Sequence, residues 1–153
     1  MPAKHSLKLE YQSPFVTLAL HGNLKGYRLA WTLNNKFDLD LERSKDFPYV
    51  INEKEVCFAI YGYYCSKFRM NFFLLENKNP EGAIICEAPA PDFLLLIWNK
   101  SEFFDVVMFQ RELKKCRGLQ AAYRLDSKLE VKNSAFFHDL EFFLEGAEQR
   151  SRP

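Results

Sequence analysis

The sequence predicts an α+β fold with a mostly antiparallel sheet, two main helices on one face and a C-terminal helix, ferredoxin-like in its general layout. Apolar and polar residues alternate with period two in several short stretches, as in half-buried strands. Two longer stretches, 24–37 and 102–117, repeat apolar residues with a helical period. Six consecutive apolar residues, Phe93–Trp98, are too few for a helix but enough for a central strand buried on both faces.

The first half of the chain is predicted to place strands around one helix. Asn23 is a favourable N-cap directly before the helical pattern, whose flank carries Tyr27 and Trp31 as expected packing residues. Ser44–Asn52 shows neither period and is expected to be a loop. The predicted elements of this half are strands over 7–11, 15–20 and 39–42 and a helix over Leu24–Phe37.

A β-hairpin of Val56–Tyr64 and Lys67–Leu75, turning near Cys65-Ser66, is the clearest predicted pair of elements. If Tyr64 pairs with Phe68, the side chains divide between two faces. One face is apolar and is expected to join the core. The other mixes aromatic and polar residues and is typical of a surface. Either another element, such as the C-terminal helix, covers this face, or it is the candidate binding face: Tyr61, Tyr63, Arg69, Asn71 and Phe73.

The second half is organised around Phe93–Trp98. Pro89 and Pro91 precede it and predict a stiff, non-helical link. A helix over Glu102–Arg117 and a strand over Leu119–Asp126 complete a β-α-β unit, for which a right-handed crossover is expected.

The C-terminal part is predicted to add an amphipathic helix over Ala135–Glu145, so that one domain covers residues 6–145. Residues 146–153 are polar and charged and are expected to form a flexible tail. On the preceding helix, Phe104 and Met108 are one turn apart among charged residues, and we expect them to form an exposed apolar ridge.

The composition favours a globular protein that uses aromatic residues on its surface. The chain has 48% hydrophobic residues, with 15 Phe and 7 Tyr, more rings than one modest core usually needs. Lys and Arg total 21 against 20 Asp and Glu, so long-range attraction to nucleic acid or anionic lipid is weak.

No apolar run approaches the roughly 20 residues that cross a bilayer, and the first residues lack the apolar core of a signal peptide. The four cysteines are scattered without a C-x-x-C pair, which favours buried free thiols in a reducing compartment. We therefore expect a cytoplasmic protein without a membrane segment.

The stretch Ile85–Phe93 resembles the signature of the bacterial IPExxxVDY family. Ile85, Glu87 and Asp92 match that signature, whereas Cys86, Pro91 and Phe93 replace its Pro, Val and Tyr. The resemblance extends over about Leu7 to Asp126. It implies a cytoplasmic single-domain protein and no assigned activity.

Few residues suggest catalysis. Glu87 and Asp92 are a possible acid–base pair, but five positions and two prolines separate them, and a structural role in the link is the simpler interpretation. His21 lies between a strand and a helix, where ligands can bind, but a hydrogen-bonded or solvent-facing His without a catalytic role is the better interpretation. The spacing of His and Cys predicts no metal site, and the absence of a glycine-rich phosphate loop argues against a nucleotide cofactor.

These observations favour a non-enzymatic cytoplasmic binding module that self-associates, or binds another protein, through aromatic surface. An alternative is an RNA-associated protein in which Tyr61, Tyr63, Arg69 and Phe73 stack on bases, although the near-neutral charge disfavours it. A more remote alternative is an enzyme acting on a small molecule around Glu87 and Asp92, with His21.

Overall fold

The structure is a computed structural model that describes the backbone of residues 11–151 and the side chains of residues 11–146. Within this range the chain forms helices and short strands in an α+β arrangement, as predicted. The helices are α1 (Gly26–Phe37), α2 (Val106–Leu113), α3 (Ser127–Lys132) and α4 (Ser134–Ser151). The strands are β1 (Phe15–His21), β2 (Glu42–Arg43), β3 (Phe47–Ile51), β4 (Lys54–Phe58), β5 (Ile60–Cys65), β6 (Met70–Glu76), β7 (Lys78–Asn79), β8 (Gly82–Ala83), β9 (Phe93–Trp98) and β10 (Ala121–Arg124).

The main sheet has six strands in the order β10-β1-β9-β6-β5-β2, and every neighbouring pair is antiparallel. Strand β9 lies between β1 and β6, and all six of its residues are buried, so the prediction of a central strand buried on both faces is confirmed. Because β9 and β10 both pair antiparallel with β1, they run parallel to each other and α2 connects them, as predicted for the β-α-β unit.

Helices α1 and α2 pack on the same face of the sheet. Leu29 and Leu33 of α1 join one core cluster with Phe109 and Leu113 of α2 and with alternate residues of the strands. The strand residues of this cluster are Leu18, Leu20, Tyr61, Met70, Phe72, Leu74, Phe93, Leu95, Ile97 and Ala122. The predicted layout of two main helices on one face is therefore confirmed.

The predicted register of the β5–β6 hairpin is wrong. Cys65 pairs with Met70 and Tyr64 with Asn71, so the turn takes four residues and Arg69 adopts φ 54°. The sequence-based pairing of Tyr64 with Phe68 is offset from this register by three positions. Since side chains alternate with period two, an odd offset moves every side chain of one strand to the other face.

Other boundaries also differ from the predictions. The expected loop over Ser44–Asn52 contains β3, which pairs with β4 in a separate two-stranded sheet. Helix α2 begins later than predicted because Asp105 caps its N-terminus, accepting a hydrogen bond from the Met108 backbone N–H at 3.0 Å, and it ends earlier, at Leu113. Helix α3 was not predicted, and α4 continues to Ser151 through most of the predicted tail. The predicted strand over 7–11 lies almost entirely outside the described residues.

The chain divides into two compact units where the sequence predicted one domain. One unit, Phe15–Arg124, contains the whole six-stranded sheet with α1 and α2. The described part of the other consists of residues 11–14 and 125–151 and contains α3 and α4. In this second unit the Tyr11 ring packs edge-on against His138, with the ring centroids 4.6 Å apart.

The fully buried Asn77 side chain holds the link before β9, residues 84–92, in place by hydrogen bonds. Its Nδ2 donates to the carbonyls of Ile85, at 2.9 Å, and Pro91, at 2.8 Å, while its Oδ1 accepts from the Ile85 N–H at 2.8 Å. Its backbone N–H donates to the Asp92 carbonyl at 3.0 Å, and its carbonyl accepts from the Ile84 N–H at 3.0 Å. One residue thus satisfies the backbone groups at both ends of a link that has no regular structure.

Replacing Asn77 with Ala should lower the free energy of unfolding by about 2–4 kcal/mol, because it leaves buried backbone groups of Ile85 and Pro91 without partners. Urea denaturation would measure the change. The matched control is Asn79→Ala, which removes more exposed hydrogen bonds and should cost less than about 1 kcal/mol. Equal losses for the two variants would contradict the role assigned to Asn77.

Replacing Thr17 with Val should raise the free energy of unfolding by about 1 kcal/mol. Thr17 is fully buried in β1, and its Oγ1 has no hydrogen-bond partner among the described residues. Valine keeps the branched shape and removes the unsatisfied hydroxyl. Thermal and urea unfolding would measure the gain, and Thr32→Val is the control, because the Thr32 hydroxyl donates to the Arg28 carbonyl. A stability loss in Thr17→Val would show that the hydroxyl is satisfied.

Candidate functional site

Asp92 joins three segments at one end of the sheet. Its Oδ2 accepts a hydrogen bond from the Gly22 N–H at 2.8 Å, and its own backbone N–H donates to the Leu20 carbonyl at 2.9 Å. Its Oδ1 lies 3.3 Å from Lys78 Nζ. Asp92 therefore fixes the loop after β1 to the start of β9, which is the structural role that the sequence favoured over a catalytic one.

A cavity of about 200 Å³ lies beside Asp92. It is lined by the loop of residues 22–26 and by Glu76, Lys78, Asp92 and Phe93. The Glu76 carboxylate lies so close to the start of α1 that a Cβ on Gly26 would overlap with Glu76 Oε2. The lack of a side chain on Gly26 therefore leaves room for the carboxylate beside the helix backbone.

The Glu76 carboxyl is half-buried, and this environment changes its proton affinity. Burial is the largest effect and raises the pKa of Glu76 above its ordinary 4.5. The negative charge of Asp46 raises the pKa further, whereas the positive charges of Arg43 and Lys25 lower it. The cavity thus carries one carboxyl that holds its proton to a higher pH than an exposed glutamate.

The cavity does not bring together the three residues of the predicted enzyme site. Asp92 lines it, but Glu87 and His21 do not. His21 instead forms a 2.8 Å hydrogen bond through Nε2 with the Tyr123 hydroxyl, and the two rings stack with centroids 5.5 Å apart. Of the other signature residues, Ile85 is bound by Asn77.

The five residues of the predicted binding face do not share a face. Tyr61 belongs to the core beneath α1 and α2, and Tyr63 packs against the same cluster. Asn71 and Phe73 occupy alternate positions of β6 on the opposite face, where the Phe73 ring lies 6.3 Å from the Trp98 ring. Arg69 is exposed in the turn. The single stacking surface on which the RNA hypothesis depended is therefore absent from this register.

The predicted ridge of Phe104 and Met108 is only partly exposed. Phe104 is half-buried, with its ring 5.3 Å from the Phe109 ring and 5.7 Å from the Phe72 ring. Residues 101–104 form a turn before α2, so the helical spacing assumed for Phe104 does not apply. Phe103, in the same turn, is 81% exposed, and Met108 is 47% exposed.

Two further rings are exposed on α1. Tyr27 is 66% exposed and Trp31 62%, although the sequence predicted that both pack on the flank of the helix. They lie one turn apart and away from the buried positions Leu29 and Leu33. The helical wheel identified this flank, but it could not show that no neighbouring element covers it.

The described residues offer no group of three or more His, Cys, Asp or Glu side chains that could hold a metal ion. Helices long and apolar enough to cross a membrane are likewise absent from residues 11–151. All four cysteines lie in the described range as free thiols, but Cys57 and Cys86 are exposed rather than buried.

Replacing Glu76 with Gln should weaken the dependence of stability on pH. Between pH 4.5 and the raised pKa, the folded protein holds more protons than the unfolded chain, so wild-type stability falls as pH rises through this interval. Glutamine does not titrate, so the variant should gain stability relative to wild type across the same interval. Urea denaturation at several pH values measures this difference, with Glu55→Gln, an exposed position on β4, as control. Parallel pH profiles for wild type and Glu76→Gln would contradict the prediction.

Comparison of the chain with protein-family models and with curated proteins finds no match. What the protein binds therefore has to be inferred from its own residues. Exposed rings lie on α1 and before α2, and further ones lie on β5, β10 and α4, while a small cavity lies beside Asp92.

Proposed function

We propose that the protein is a non-enzymatic cytoplasmic binding module that self-associates through exposed aromatic side chains on α1 and at the start of α2. The observation that carries this proposal is that three large rings, Tyr27, Trp31 and Phe103, are each more than 60% exposed on the helical layer. We also propose that the chain belongs to the IPExxxVDY family, because Ile85, Glu87 and Asp92 match the family signature.

The size of the exposed rings supports an interface role. A large aromatic side chain presents about 150–250 Å² when fully exposed, so these three rings leave about 400 Å² of apolar surface in water. A standard interface buries roughly 800 Å² per partner, so the exposed rings would form the centre of a contact and not the whole of it. Neighbouring residues would supply the remainder.

The other functions considered receive less support. Stacking on RNA needs several rings on one basic face, and the predicted set is divided between two faces of the sheet. An enzyme around Glu87 and Asp92 would need both carboxyls at one cavity, and Asp92 alone lines the cavity beside it. A different protein remains the main alternative to a second copy as the partner of the exposed rings.

Size-exclusion chromatography with light scattering over a range of protein concentrations tests the proposal. Wild type should rise in mass above the 18.0 kDa monomer as concentration increases. Trp31→Ser should weaken self-association at least tenfold, as expected when a central aromatic anchor is lost. The control is Tyr64→Ser, which removes a 52% exposed ring from β5 and should behave as wild type. A wild-type protein that stays monomeric at every concentration would overturn the proposal.

A further inference from the structure

We infer that the cavity beside Asp92 binds a small zwitterion, a molecule of the size of an α-amino acid that carries one ammonium and one carboxylate group. This inference goes beyond the proposed function and does not depend on self-association. It rests on the four charged side chains that line the cavity, Lys25, Glu76, Lys78 and Asp92. All four belong to the unit Phe15–Arg124, so one compact part of the chain builds the whole lining.

Asp92 already uses its negative charge within the protein. One carboxylate oxygen accepts a hydrogen bond from the Gly22 N–H at 2.8 Å, and the other lies 3.3 Å from Lys78 Nζ. Asp92 is therefore not the main partner that the cavity offers to a ligand. The Lys78 ammonium group has three N–H donors, so it can hold a second acceptor beside Asp92.

Glu76 supplies the carboxylate that a ligand can bind. It is half-buried and lies beside the backbone of Gly26, which also lines the cavity. Among the described residues, no ion pair or hydrogen bond to this carboxylate is found. Burial has the largest influence on the pKa of Glu76, so its negative charge is poorly solvated. An ammonium group in the cavity would supply hydrogen bonds that neither the protein nor bulk water provides fully.

Lys25 supplies positive charge at the same cavity. Its side chain is exposed, and its charge lowers the pKa of Glu76, yet the ion pairs found in the described part of the chain do not include Lys25. Fixing a long exposed side chain in a direct ion pair costs side-chain entropy, and such pairs contribute little to stability. Lys25 and Lys78 therefore both have donors left for an acceptor that comes from solution.

This set of charges favours a ligand that carries both signs. A simple anion would be attracted by the two lysines but repelled by Glu76, and a simple cation would meet the opposite combination. A zwitterion can place its ammonium group at Glu76 and its carboxylate at the lysines. Its carbon atoms would then contact Leu24 and Phe93, the two large apolar residues of the lining.

The volume of the cavity limits the size of the ligand. It measures about 200 Å³, below the roughly 300–1,000 Å³ of pockets that hold drug-sized molecules. A free amino acid with a short side chain is the class of zwitterion that fits this volume.

Three small molecules of matched shape test the inference on the whole protein. L-Alanine carries both charges, propionate lacks the ammonium group, and ethylammonium lacks the carboxylate. The backbone N–H signals of Gly22 and Gly26, both in the lining, report binding in an ¹H–¹⁵N correlation spectrum, and Gly62 on β5 is the control outside the lining. L-Alanine should shift both lining signals and bind at least about tenfold more tightly than either analogue, because it makes one more charged hydrogen bond.

Two variants test the two ends of the ligand separately. Glu76→Gln should weaken L-alanine binding about tenfold or more without weakening propionate binding, because only the ammonium group loses its partner. Lys25→Met should weaken the binding of L-alanine and propionate but not that of ethylammonium. The matched controls are Glu55→Gln and Lys114→Met, which change exposed residues outside the lining and should leave all three affinities unchanged.

Several results would overturn the inference. One is equal affinity for L-alanine and for either analogue, which would indicate a site for a simple anion or cation. Another is that none of the three molecules shifts the Gly22 and Gly26 signals, and a third is L-alanine binding that Glu76→Gln leaves unchanged. Light scattering measures self-association independently, so none of these results decides the proposed function. Circular dichroism of each variant checks that it is folded.

Discussion

The buried amide side chain of Asn77 fixes the connection between the two neighbouring strands β6 and β9. Asn77 lies just beyond β6 and bonds to backbone groups at both ends of the link before β9, so two neighbouring strands of the sheet and their irregular connection are fastened by one side chain. Asp92 extends this fastening to the loop after β1. The position of β9 between β1 and β6, and with it the core beneath α1 and α2, depends on these hydrogen bonds being satisfied inside the protein.

The parts of this fold that local chemistry decides were predictable from the sequence. The uninterrupted apolar run Phe93–Trp98 is stable only in a strand whose two faces are both buried. Helix α1 has apolar residues along one side, which are buried. The hairpin register was not predictable, because it depends on how many residues the turn takes, and Arg69 adopts a backbone conformation that few residues favour. The role of Asn77 was not predictable either, because its hydrogen-bond partners are up to 14 positions away in the sequence.

The exposed rings lie elsewhere than on the predicted binding face. The hairpin rings that the sequence placed on a binding face were divided by the register between the core and the opposite face. The exposed rings lie on α1 and before α2, where the helical period marks the non-core flank but cannot say whether another element covers it. Exposure of a ring depends on long-range packing, so a sequence can predict a surplus of aromatic residues without showing which of them reach solvent.

The two tryptophans allow the most direct test of where the protein associates. Trp31 is 62% exposed on α1, whereas Trp98 is 7% exposed at the end of β9, so their indole N–H signals in an ¹H–¹⁵N correlation spectrum are a probe and its internal control. On dilution, the Trp31 signal should shift or sharpen progressively while the Trp98 signal stays fixed. A Trp31 signal that is independent of concentration, while the mass of the protein rises, would show that association uses another surface.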